Sequence, residues 1–99
     1  MTPSNIIWSP TARLTYLDVL EYLNEKWTIK ELKFFIDRTE TVIHNISIHP
    51  KLYSYSKESD IYKCVLVKQI SLFYRIKDEY VELLIFWDNR QDLINLSNI

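Results

Sequence analysis

Lys51, Lys57, Lys63, Lys68, Arg75 and Arg90 share the second half of the chain with Tyr53, Tyr55, Tyr62, Tyr74 and Tyr80. Cations among aromatic rings can hold RNA by phosphate contact and base stacking. Glu58, Asp60, Asp78, Glu79, Glu82 and Asp88 dilute that charge, and a solvated mixed surface is the plainer reading of most of these lysines. His44 and His49 are the only imidazoles. His49 stands before Pro50 and reads as a helix-end residue, with general acid–base work as the alternative. Asp88 and Asp92 flank Arg90, but two carboxylates without a third ligand make weak metal chemistry. No Ser/His/Asp arrangement is evident. The single cysteine, Cys64, excludes an internal disulfide and multi-cysteine zinc sites. The chain has no glycine, which excludes P-loops and glycine-rich dinucleotide turns. No cofactor and no metal is expected.

The elements that must carry these side chains fit one domain spanning residues 1–99. Hydrophobic residues make up 47% and charged residues 25%, which is ordinary globular usage, and the net charge is −1. No global field therefore draws the chain to nucleic acid. Met1–Asn5 is polar and Ile6–Trp8 is too short for a signal sequence, and no run approaches the ~18 apolar residues of a membrane span. A cytoplasmic protein without membrane contact is expected.

Asn5–Trp8 reads as a first strand. Ser9–Pro10 starts a helix, with serine as N-cap and proline in the first turn. Ala12, Tyr16, Val19, Leu20, Leu23 and Trp27 then form an apolar stripe at helical spacing. Thr28 and Glu31 make a capping-box pattern that opens a second helix, with the stripe Leu32, Phe35, Ile36, Ile43 and Ile46 and a stop at Pro50. Residues 51–59 read as a loop. Three strands follow, Asp60–Val67, Ile70–Lys77 and Tyr80–Trp87, joined by links short enough to make antiparallel hairpins. The expected fold is α+β, β-α-α-β-β-β, with a helical hairpin on one face of a mainly antiparallel sheet.

Two-residue turns set a register. One face then collects Ile61, Lys63, Val65, Val67, Ile70, Leu72, Tyr74, Ile76, Val81, Leu83, Ile85 and Trp87, and is the expected core. The other carries Leu66, Phe73, Leu84 and Phe86. A hairpin covers one face of a sheet, and an apolar patch left on the other marks a partner site. The alternative is that residues 91–99 fold back over it. Arg75 faces Glu82 in this register, either as a cross-strand ion pair or as a basic group beside aromatics ready for a phosphate.

The ordered set of segments resembles the RelE/ParE toxin family over nearly the whole chain. Ile6-Ile7-Trp8-Ser9-Pro10-Thr11-Ala12 looks like its opening strand and helix start, and Asp60-Ile61-Tyr62-Lys63 like the strand after its loop. Leu72-Phe73-Tyr74-Arg75-Ile76 with Asp78-Glu79-Tyr80-Val81 is similar to its central hairpin. Trp87-Asp88-Asn89-Arg90-Gln91-Asp92 resembles its closing segment. The resemblance implies a plasmid-stabilisation-type toxin that inhibits growth and is silenced by a cognate antitoxin wrapped on its surface, with a homodimer possible. It makes Arg90, then Arg75 and Lys63, the candidates for activity or target contact, and Leu66, Phe73, Leu84 and Phe86 the candidates for antitoxin contact. RelE-like members cut messenger RNA on the ribosome without a metal, whereas ParE-like members inhibit DNA gyrase and are not enzymes. RelE-like nucleases place an arginine about where Ser71 stands, and an aromatic or histidine acid–base residue near the C-terminus. Residues 91–99 contain neither type. The reading therefore leans to ParE-like gyrase inhibition, with the ribosome-dependent nuclease and an inactive, partner-binding remnant of the fold as alternatives.

Overall fold

Ser9 and Thr28 begin the two helices by the chemistry expected of them. In the computed structural model, which describes residues 4–89, the Ser9 hydroxyl accepts from the Ala12 amide and Pro10 opens α1 (Pro10–Lys26). Thr28 and Glu31 form a full capping box at the head of α2 (Ile29–Ile48). Each satisfied amide is one that the helix itself cannot pair. Thr28→Ala is expected to lower stability by about 1 kcal/mol, read as a shifted urea midpoint with an unchanged slope. A change in the slope, or no shift at all, would count against the box as a stabilising device.

The strands are β1 (Asn5–Trp8), β2 (Ser54–Ser56), β3 (Ile61–Val67), β4 (Ile70–Ile76) and β5 (Tyr80–Asp88). They form one sheet in the order β1-β5-β4-β3-β2, with β1 parallel to β5 and every other pair antiparallel. The α+β architecture is as the sequence leads one to expect, and β2 is the addition. It lies inside the stretch read as a loop because Ser-Tyr-Ser offers no apolar alternation, and all three residues are exposed. Beyond it the chain turns with Asp60 at φ 56°. Aspartate tolerates this left-handed conformation better than most residues, and the chain has no glycine to place there. The Tyr55 hydroxyl donates to the Asp60 carboxylate at 2.7 Å and fastens the turn.

α1 packs over β5 and α2 over β3. The core between helices and sheet contains Ala12, Val19, Leu23, Phe35, Val42, Ile46, Tyr62, Cys64, Leu66, Ile70, Leu72, Tyr74, Val81, Leu83 and Phe86. This set corrects the expected register in two places. Val65 pairs with Ser71 and Val67 with Ile70, so Leu66 is an extra residue in β3. Phe73 pairs with Ile85 and Tyr74 with Leu83, so Leu84 is an extra residue in β5. Each β-bulge shifts the alternation by one and exchanges the faces along its strand. Lys63 and Val65, expected in the core, are exposed, and Tyr62, Cys64 and Leu66 take their place. In β5 the helix side goes to Phe86, whose ring lies 4.9 Å from Tyr16 and 5.4 Å from Trp8.

Candidate basic–aromatic face of the sheet

The face of the sheet turned away from the helices is built in cross-strand rows. Val65 stands beside Ser71 and Ser71 beside Trp87; Lys63 stands beside Phe73 and Phe73 beside Ile85; Arg75 stands beside Glu82 and Glu82 beside Ile7. Ile7 and Val65 are about half exposed, at 48% and 50%, and Phe73, Arg75 and Glu82 are partly buried. Ile85 and Trp87 are buried but lie outside the helix-side core.

Of the residues picked out for activity, Lys63 and Arg75 are on this face, two residues apart in register. The Lys63 ammonium sits 5.9 Å from the centre of the Phe73 ring, within cation–π reach. Arg75 does stand opposite Glu82, but its guanidinium turns to the preceding loop. Nε donates to the Asp60 carbonyl at 3.2 Å and an Nη to the Ser59 carbonyl at 3.3 Å. It therefore braces the β2–β3 turn. Arg90, and the alternative of residues 91–99 folding back over the sheet, lie outside the described residues.

Of the residues picked out for antitoxin contact, Phe73 is on the expected face. Leu84 is the partly buried extra residue of the β5 bulge. Leu66 and Phe86 are on the helix side, 3% and 2% exposed, because the two bulges turn them inward. The expectation that they contribute to a surface patch is corrected on that ground.

The tyrosines read as possible base-stacking rings are largely used within the fold. Tyr62 and Tyr74 stack on each other at 5.1 Å, and the Tyr74 hydroxyl donates to the Pro50 carbonyl at 2.6 Å. Burial first, and then electrostatic interaction with the ionisable side chains of Cys64, Tyr62 and Tyr53, holds the Tyr74 phenol well above the usual tyrosine range. Burial likewise raises the Cys64 thiol, with Arg38 acting in the opposite direction. Cys64 is thus a thiol in the core, without the thiolate character that nucleophilic chemistry needs. His49 is the C-cap of α2, as its place before Pro50 suggests.

Two polar arrangements escaped the sequence reading. Asn89 donates its side-chain amide to the Lys68 carbonyl and its main-chain amide to the Gln69 carbonyl, and accepts from the Ser71 hydroxyl. It ties the β3–β4 turn to the end of β5. Arg38 reaches from α2 to the Val65 and Leu66 carbonyls at 3.4 and 3.2 Å, at the β3 bulge. The partners of Asn89 and Arg38 are distant in sequence, and neither residue belongs to a local motif.

A β-α-α-β-β-β-β chain whose helical hairpin covers one side of a mixed five-stranded sheet, with β1 parallel to β5, has the α+β fold of the RelE/ParE toxins. No family model and no curated protein matches the chain. Solved structures do. A YoeB dimer from Staphylococcus aureus is similar with a TM-score of 0.57 at 16% identity, over 84% of this chain and 93% of that one. A YoeB/ParE toxin from Agrobacterium tumefaciens is similar with a TM-score of 0.58 at 11% identity, over 85% and 97%. A YoeB–YefM complex from Staphylococcus aureus gives 0.56 at 15% identity, over 85% and 94%. Among the described residues no helix is long and apolar enough to cross a membrane.

Proposed function

We propose that this chain is the toxin of a two-protein toxin–antitoxin pair, a growth inhibitor neutralised by a cognate antitoxin. The observation that carries this reading is the fold likeness to toxin structures over nearly the whole of both chains. One of those likenesses is to a two-protein complex and one to a dimer, which supports a protein partner and a homodimer here. Phe73, with Lys63 over its ring, and Leu84 are the antitoxin contacts in this proposal. Leu66 and Phe86 are too deeply buried to offer surface.

For the target, the proposal is gyrase inhibition of ParE type, with Arg90 as the principal contact. Two observations favour it over messenger RNA cleavage. Ser71, which stands where RelE-like nucleases place an arginine, is fully buried and bonded to Asn89. The Arg75 guanidinium bonds loop carbonyls. A phosphate undergoing attack needs cationic donors aimed at its developing charge, and these two positions aim none.

Inducing the gene alone is expected to arrest growth, and co-inducing its neighbouring reading frame to restore it. The arrest should bring a DNA-damage response with intact transcripts, and Arg90→Ala should relieve it. Cleaved transcripts would overturn the gyrase reading in favour of the nuclease. Normal growth without the neighbour would overturn the toxin reading and leave a partner-binding remnant of the fold.

A further inference from the structure

β5 contains five consecutive apolar residues, Leu83-Leu84-Ile85-Phe86-Trp87. Hydrophobic patterning cannot choose which of them face the helices, because either alternation buries large side chains. Without a bulge, Ile85 and Trp87 would follow Val81 and Leu83 into the core, and Phe86 would face the other way. The chain nevertheless adopts the bulged register, and three main-chain groups around the bulge are held by the start of α1. The Ser9 amide donates to the Leu83 carbonyl at 3.0 Å. The Ser9 hydroxyl donates to the Leu84 carbonyl at 3.0 Å while accepting from the Ala12 amide. The Thr15 hydroxyl accepts from the Phe86 amide at 3.0 Å while donating to the Thr11 carbonyl at 2.7 Å.

We propose that Ser9 and Thr15 are positioning residues for the far face of the sheet: their hydroxyls select the bulged register of β5 and thereby place Ile85 and Trp87, instead of Leu84 and Phe86, in the rows with Phe73 and Ser71. The proposal rests on the reading of that face as functional and says how its composition is set. A bulge breaks the ladder and leaves main-chain groups in need of partners. In the unbulged register the same hydroxyls would meet a strand shifted by one residue. One hydroxyl therefore serves two purposes at each site. Ser9 accepts from the helix and donates to the bulge, and Thr15 donates to its own helix and accepts from the strand. Arg38 does the same for β3 from the other helix, through the Val65 and Leu66 carbonyls. The helical hairpin thus encodes which side chains stand on a face of the sheet that it does not touch.

The test separates the hydroxyls from packing and capping. Thr15→Val keeps the shape and removes the acceptor; Thr15→Ser keeps the acceptor. Ser9→Asp keeps an N-cap acceptor but cannot donate to the Leu84 carbonyl; Ser9→Thr can. Amide hydrogen exchange at Phe86, and the NMR contact between the Tyr16 and Phe86 rings, report the register without any assay of growth. Thr15→Val and Ser9→Asp are each expected to speed Phe86 exchange by about tenfold or more relative to Val42 in α2 and to weaken the ring contact. Thr15→Ser and Ser9→Thr should restore both. Wild-type protection in Thr15→Val, or equal behaviour of the Ser9→Asp and Ser9→Thr chains, would overturn the proposal. If either damaging variant fails to fold, the other carries the comparison, and a chain with Arg38→Met reports the β3 bulge through Val67 exchange. Should the parent protein fail to arrest growth, the toxin reading falls, while the exchange and contact data still decide the role of the two hydroxyls.

Discussion

Phe86→Ala is expected to destabilise the fold by about 3–5 kcal/mol, the usual cost of emptying a buried aromatic site. Phe86 is 2% exposed and packs between Trp8 and Tyr16, which are themselves in edge contact. Alanine there removes the centre of a three-ring cluster that joins β1, α1 and β5. Domains of this size are stable by only about 5–15 kcal/mol, so the variant should be close to unfolded at growth temperature. Phe73→Ala provides the contrast. Phe73 is partly buried on the far face beside Lys63, and its loss should cost about 1 kcal/mol or less. Phe73→Glu should leave the fold standing and weaken antitoxin binding by roughly tenfold or more, the effect of losing an interface anchor. Urea unfolding of Phe86→Ala and Phe73→Ala side by side checks the register directly. Equal losses would mean that the faces of β5 and β4 are wrongly assigned.

The second large effect is alkaline. The Tyr74 phenol is fully buried, and its hydroxyl donates to the Pro50 carbonyl. Ionising it would leave a phenolate facing a carbonyl oxygen in a desolvated site. Burial first, and then electrostatic interaction with the ionisable neighbours Cys64, Tyr62 and Tyr53, raise it above the ordinary value of 10.0. Tyr16 is raised by burial and by Glu40, and Cys64 by burial, in the same direction. The folded state therefore holds these protons more tightly than the unfolded state. The stabilising contribution is complete below the unfolded values and is lost as pH rises through them toward the folded ones. The urea midpoint should be level to about pH 8 and fall steeply by about pH 11. Tyr74→Phe should cost about 1 kcal/mol near neutrality, for the lost hydrogen bond, and should flatten much of the alkaline decline. A variant profile as steep as the parent's would show that another group governs it.

These predictions turn on details that residue patterning reveals unevenly. Ser9, Pro10, Thr28 and Glu31 announce both helix starts because capping is local chemistry. The short links at Lys68–Gln69 and Asp78–Glu79 leave little choice but hairpins. The faces of β3 up to its bulge at Leu66, and of β5 beyond Leu83, were not legible. Cys-Val-Leu-Val and Leu-Leu-Ile-Phe-Trp are apolar runs that accept either alternation, and the deciding bonds come from Arg38, Ser9 and Thr15, which lie 27 to 75 residues away. That is why Leu66 and Phe86 were expected on the surface and stand in the core. The candidate site was legible as a set of basic residues among aromatics. The use of Arg75 by the loop before it was not, because Asp60 needed support in an unusual backbone conformation that no pattern of residue types foretells.

The parallel pairing of β1 with β5 also bears on how the molecule is born. Asn5–Trp8 leaves the ribosome well before its partners Tyr80–Leu83. This contact closes a long loop and must wait for β5, which places the fold among slow, late-closing topologies. During synthesis the incomplete product has a stranded first segment and no finished sheet. A partner that reads the finished sheet would meet it only once β5 had docked between β1 and β4.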